Sequence, residues 1–298
     1  MTTVEIQSPK PRRLRVFRVV FAVFKYCLHN FGRLFLVTWF ACALASVSRL
    51  FLEWLIFPWP ARLPDWMLSS HFDPPTWLSP FLVTPWLAMG WAFVLNEMFH
   101  ENPRRGIVTI PPRELGWLRF ELSRAVLIAA AILAVASLID GATRFAQDQI
   151  LVAADAAFEP SEITLTIWAG LLTALRVALI VVVFVLCYPL AGRVLHTGDF
   201  SVARTWKLMH GNWLRVAGIF LLLNIILRGL VRILEPVTDW LVQSFTNSAD
   251  WTLQAALVRF VVDFPFQMLW TLVWAVAVGI VLHTLEGSSS SVEPAGDE

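Results

Sequence analysis

The side chains able to do chemistry in this sequence are the few charged ones set inside long apolar runs. Asn224, Arg228 and Arg232 fall at i, i+4 and i+8 and draw one polar stripe along a helix face, while Arg176 sits in the middle of the preceding apolar run. An unpaired guanidinium in hydrocarbon is costly, so such a stripe is expected to face a bundle interior or a wet cavity. There it could bind an anionic headgroup, pair with a carboxylate such as Glu53 or Glu97, line a translocation path, or simply hold helix to helix. Snorkelling to the headgroups accounts for Arg232, and at most for Arg228 besides, but not for Arg176.

Three further charge pairs recur near the ends of apolar runs: Arg49 with Glu53, Arg144 with Asp148, and Arg232 with Glu235. Repetition at equivalent places reads as a structural clasp closing a helix end rather than as catalysis. His29, His100, His196, His210 and His283 lie near one face but in different registers, so no metal site is expected; convergence of His100, His196 and Glu97 at one cavity would instead point to a lipid-modifying enzyme. Cys27, Cys42 and Cys187 have neither paired nor CxxC spacing, which excludes a disulfide framework or a zinc site as an expectation. No HExxH, GxSxG or phosphate-binding glycine loop occurs. The chain is therefore read as non-enzymatic, without cofactor or nucleic-acid partner.

The elements that must position these residues are membrane helices. Of 298 residues, 57% are hydrophobic and 15% charged, and the mean hydropathy is +0.66, well outside the range of a soluble domain. Six runs are long enough to cross about 30 Å of hydrocarbon, over 34–56, 81–99, 122–140, 163–187, 214–234 and 264–285. Lipid cannot satisfy backbone polar groups, so the spans must be helices and the fold class all-α.

The net charge is only +1, yet the basic residues are sorted. Lys10, Arg12, Arg13, Arg15, Arg18, Lys25 and Arg33 precede the first span; Arg104, Arg105, Arg113, Arg119 and Arg124 fill the second connection; Arg193, Arg204, Lys207 and Arg215 fill the fourth. The other connections hold Arg62, Arg144 and Arg259. The positive-inside rule then places both termini in the cytoplasm, with Asp140, Asp148, Asp155, Glu159 and Glu162 outside. The first apolar run lacks a small-residue cleavage site and is expected to act as an uncleaved anchor. The Pro- and Trp-rich loop from Phe57 to Pro80 reads as an interfacial cap, and the final GSSSSVEPAGDE as a disordered acidic tail.

The spans look repeated. Lys25, Asn30, Phe31 and Arg33 correspond to Lys207, Asn212, Trp213 and Arg215, each pair 182 residues apart, and adding half of that to Arg33 reaches Arg124. In this middle copy Gly116 and Glu121 take the Lys and Asn places. Val94-Leu95, Val185-Leu186 and Val281-Leu282 recur at the returning ends. Three diverged hairpins follow, about 12–103, 104–198 and 199–286, within a membrane domain of 1–286 and before the tail of 287–298. Each begins with a basic amphipathic segment; Arg15, Arg18, Lys25 and Arg33 in the first and Arg204, Lys207 and Arg215 in the third suit the inner leaflet, where each cation gains about 1 kcal/mol from anionic lipid.

The entry segments TWKLMHGNWLRVAGIFLLL and FKYCLHNFGRLFLVTWF, with the Val-Leu exits and the six-span plan, resemble a group of bacterial inner-membrane proteins. It includes the membrane domain attached to some glycerophosphodiester phosphodiesterases. The resemblance implies a multi-pass protein of the bacterial inner membrane and no agreed activity, and the catalytic residues of the soluble enzyme domain have nothing here to map onto. The expected function is to organise anionic lipid, or a protein partner at the cytoplasmic face. The alternative is export or transport of an anionic amphiphile through Arg176, Arg228 and Arg232, against which three repeats weigh, since common transporter plans use two inverted halves.

Overall fold

A computed structural model describes residues 14–56, 74–99, 124–143, 162–246 and 253–286, and every described element is a helix. In chain order these are α1 (Val16–His29), α2 (Phe31–Ile56), α3 (Pro74–Phe99), α4 (Arg124–Thr143), α5 (Glu162–Val182), α6 (Tyr188–Thr197), α7 (Val202–Met209), α8 (Trp213–Thr246) and α9 (Leu253–Glu286). Five stretches are long and apolar enough to cross a membrane: Phe31–Leu52, Arg124–Thr143, Thr173–Thr197, Trp213–Leu234 and Phe264–Glu286. They mark a multi-pass membrane protein.

The expected second span is the exception. Helix α3 covers it, but Pro80, Pro85, Asn96 and Glu97 dilute its apolar character and it is not among the five. It instead pairs with α2 along the most extensive helix contact in the bundle, and Arg33 at the start of α2 lies 3.7 Å from Glu97 near the end of α3. Helices α8 and α9 are also longer than expected. Each has 34 residues, about 51 Å at the α-helical rise, so much of the expected outer loop between 235 and 263 continues as helix.

Helix α9 is the axis: 72% of its apolar stretch is buried, against 28–33% in the other four. Lipid tails are as apolar as leucine, so close backbone approach rather than hydrophobic exclusion must hold such helices. Glycines supply it. A Cβ on Gly192 of α6 would overlap Val278 Cγ1 of α9, and one on Gly279 would fall 2.8 Å from Met98 Sδ of α3. Outward positions such as Ile167, Leu171 and Leu214 stay exposed and apolar, as a lipid-facing surface requires.

Two short helices lie across the end of the bundle where α2 and α8 begin. Helix α1 docks on α8 and α9 through Val19, Val20, Val23 and Cys27, while Phe17, Phe21 and Leu28 remain 79%, 70% and 77% exposed. The face that docks on the protein is thus a valine face, distinct from the basic positions read in the sequence. Asn30 ends α1 by donating from its amide to Tyr26 O, and its own carbonyl accepts from Leu34 N to open α2. Helix α7 is capped by Ser201, whose hydroxyl accepts from Arg204 N, and ends at Met209 with His210 as C-cap; the turn that follows passes through Gly211, whose φ of 82° favours glycine. A helix–turn–long helix thus stands at both expected entry segments, whereas 104–123, the middle entry, and the tail of 287–298 lie outside the described residues.

Candidate functional site

Counting up each helix from the α1/α7 end brings the membrane-embedded charges to one level. From Phe31 to Arg49, Arg124 to Asp140, Trp213 to Arg228 and Thr197 back to Arg176, the climb is about 22 to 32 Å. Three of these groups, Arg49 of α2, Asp140 of α4 and Arg228 of α8, line a cavity of about 650 Å³ together with Asn224 and Arg232 of α8 and Trp270 and Trp274 of α9. Phe184 and Tyr188 close it from the α5/α6 rod.

That rod carries a π turn for an identifiable reason. Pro189 has no N–H to give to the carbonyl four residues back, and its ring crowds that position. The helix adjusts by one π turn over Val183–Cys187, in which Tyr188 N bonds Val183 O, five residues away. This sets Phe184 and Tyr188 together against the cavity and against Trp274, with ring centroids 5.4 and 5.1 Å from the indole. Phe220 stacks on Trp274 at 5.4 Å and 18°. The indole is only 2% exposed, and its Nε1–H makes no hydrogen bond among the described residues.

The polar side is organised around one acid. Asp140 Oδ1 is 3.6 Å from Arg176 Nη2 and Oδ2 is 3.9 Å from Arg228 Nη2, so one carboxylate joins α4 to both α5 and α8. Arg228 Nε also donates to Asn224 Oδ1 at 3.1 Å, which aims the guanidinium along the stripe. The residues singled out in the sequence, Arg176, Asn224, Arg228 and Arg232, are therefore brought together. Among the described residues their carboxylate is Asp140 rather than Glu97, which pairs with Arg33 at the opposite end; the Glu53 side chain lies outside the described residues.

Asp140 is the cavity residue that sequence reasoning did not single out, having been counted with the outer-loop acids because it ends its apolar run. The aromatic wall was also missed. Its signal was Pro189 inside an unbroken apolar stretch. Of the proposed clasps, Arg144, Asp148 and the side chains of Glu53 and Glu235 lie outside the described residues; Arg49 and Arg232 both line the cavity.

At the other end, Arg15, Arg18, Lys25, Arg33, Arg204 and Lys207 are exposed, and Arg215 is half-buried with Nη1 donating to Asn212 Oδ1 at 3.1 Å. Asn212 is itself buried and accepts from Leu14 N, tying the start of α1 to the α7–α8 turn. Arg193, expected as a topology-setting surface charge, is buried against Asp199 at 3.1 Å and Glu286 at 4.0 Å. His196 stacks on Phe99 at 4.0 Å and His283 lies 6.0 Å from the same ring; His100 is outside the described residues. Among the described residues no three His, Cys, Asp or Glu side chains come together as a metal site, and all three cysteines are free thiols. No protein-family model, curated protein or solved structure matches the chain.

Proposed function

We propose that this chain is a six-helix inner-membrane protein with cytoplasmic termini that binds the anionic head of an amphiphile in the arginine cavity, as a lipid-organising rather than catalytic protein. The observation that carries the reading is that Arg49, Arg228 and Arg232 line one cavity at membrane depth, with Arg176 reaching the Asp140 carboxylate in its wall. Guanidinium groups are kept at such depth when anions meet them, and they match phosphate and carboxylate geometry. The exposed basic and phenylalanine faces of α1, with the basic α7, would hold anionic lipid at the opposite surface. The threefold hairpin plan and the likeness to phosphodiesterase membrane domains fit this reading without supplying a reaction.

Native mass spectrometry of the detergent-extracted protein tests it. The wild type should carry an anionic lipid or metabolite that an Arg176→Ala, Arg228→Ala, Arg232→Ala variant loses. Equal, loosely bound lipid on both would refute the cavity as a binding site.

A further inference from the structure

We infer that the anion this cavity accepts is a phosphate ester, and that it binds by taking the place of the Asp140 carboxylate between Arg176 and Arg228. The inference rests on the anion-binding reading above and specifies the headgroup and the exchange by which it enters.

Asp140 already behaves as a resident anion. Its two oxygens address guanidinium groups on two different helices, at 3.6 and 3.9 Å. Both separations exceed the 2.7–2.9 Å or so of a charge-assisted hydrogen bond, so these contacts are electrostatic and open to exchange. Any incoming anion must compete with this carboxylate. A phosphate ester presents two oxygens at about the spacing of a carboxylate's and can span the same pair of guanidinium groups. It then has at least one oxygen more.

The cavity wall holds a donor for that extra oxygen. Trp274 lines the cavity, and its Nε1–H is shielded from solvent and has no hydrogen-bond acceptor among the described residues. A buried donor left unsatisfied costs about 1–3 kcal/mol, and an oxygen arriving with the ligand removes that cost. The indole offers its edge rather than its face, because Phe220 stacks on the ring and Phe184 packs beside it. The wall is therefore built to donate a hydrogen bond, not to stack on a sugar or base. Asn224 adds a second donor: its Oδ1 is taken by Arg228 Nε, so its amide N–H groups remain to give. A fatty-acid carboxylate would span the arginines but bring nothing to Trp274.

The test is a titration of the full-length protein in neutral-detergent micelles with a short-chain phosphatidate, and with a fatty acid and a phosphatidylcholine of matched chain length, read as affinity. The wild type should prefer phosphatidate. Asp140→Asn, which removes the competing charge but keeps the shape, should tighten phosphatidate binding about tenfold, Trp274→Phe should weaken it about tenfold, and Arg228→Gln should abolish it. Unchanged or weaker binding by Asp140→Asn, or an undiminished affinity in Trp274→Phe, overturns the exchange while loss in Arg228→Gln leaves the anion site standing. Equal binding of fatty acid and phosphatidate overturns the phosphate assignment alone. If the wild type binds phosphatidate no better than Arg228→Gln does, the anion-binding reading itself fails. Should Asp140→Asn not fold, the Trp274→Phe and fatty-acid arms decide.

Discussion

Adding one methyl at Gly192 should loosen the bundle at its axis, although two opposing effects meet there. Within a helix, alanine is favoured over glycine by about 1 kcal/mol, and a buried methylene gains about 0.8 kcal/mol against water. The second gain largely vanishes here, because lipid is as apolar as the helix interface. Against the first stands a steric overlap with Val278 Cγ1 and a further contact at 3.2 Å with Leu282 Cδ1. A β-branched valine in a helix has one strongly preferred rotamer, so Cγ1 cannot swing aside cheaply and α6 must move off α9. Overpacking of this kind costs about 1–3 kcal/mol, enough to outweigh the propensity gain.

The assay is unfolding of purified Gly192→Ala, Val278→Ala and the double variant in mixed micelles under increasing denaturing detergent. Gly192→Ala should be destabilised, and Val278→Ala should also lose stability through its lost contacts. The double variant should be less damaged than the sum, with a coupling of about 1–3 kcal/mol, because truncating the valine vacates the space that the added methyl needs. Additive behaviour, or a Gly192→Ala protein as stable as the wild type, would refute the close approach of α6 to α9.

Two further outcomes follow from the α1/α7 end. Replacing Asn212 by Ala leaves Leu14 N–H and one Arg215 donor without their shared acceptor, at a cost of about 1–3 kcal/mol, and hydrogen exchange should speed up first in α1. Burial pushes the Cys27 thiol up to about 12, so it stays neutral in the fold where an unfolded cysteine, near 8.5, ionises. Stability should therefore fall as pH rises from about 9 towards 12, and Cys27→Ala should flatten that fall in unfolding midpoints.

The all-helical membrane architecture was legible because apolar run length and trapped charge are local signals. Arg176, Asn224, Arg228 and Arg232 stood out for the same reason: each is a costly group in an otherwise apolar stretch. Asp140 did not, since an acid at the end of a run is indistinguishable by composition from a loop residue. Its helix depth, matched to that of Arg228, decides where it sits. Trp270 and Trp274 were hidden among 15 tryptophans, most of which suit a membrane interface, and only tertiary packing separates a cavity wall from an aromatic belt. Arg193 shows the converse, a charge read as a surface residue but buried against Asp199, six residues on, and against Glu286, which the fold brings in from the end of α9. Helix α3 carries Pro80, Pro85, Asn96 and Glu97 within its apolar run and packs along α2.

The central claim is that an anionic headgroup occupies the arginine cavity. An electron cryo-microscopy map of the wild type in nanodiscs rich in anionic phospholipid tests it most directly. The account predicts headgroup density between Arg228, Arg232 and Trp274, absent from a map of the Arg228→Gln, Arg232→Gln variant. Acyl-chain or solvent density alone in that cavity of the wild type, with headgroups confined to the α1 and α7 surface, would contradict it.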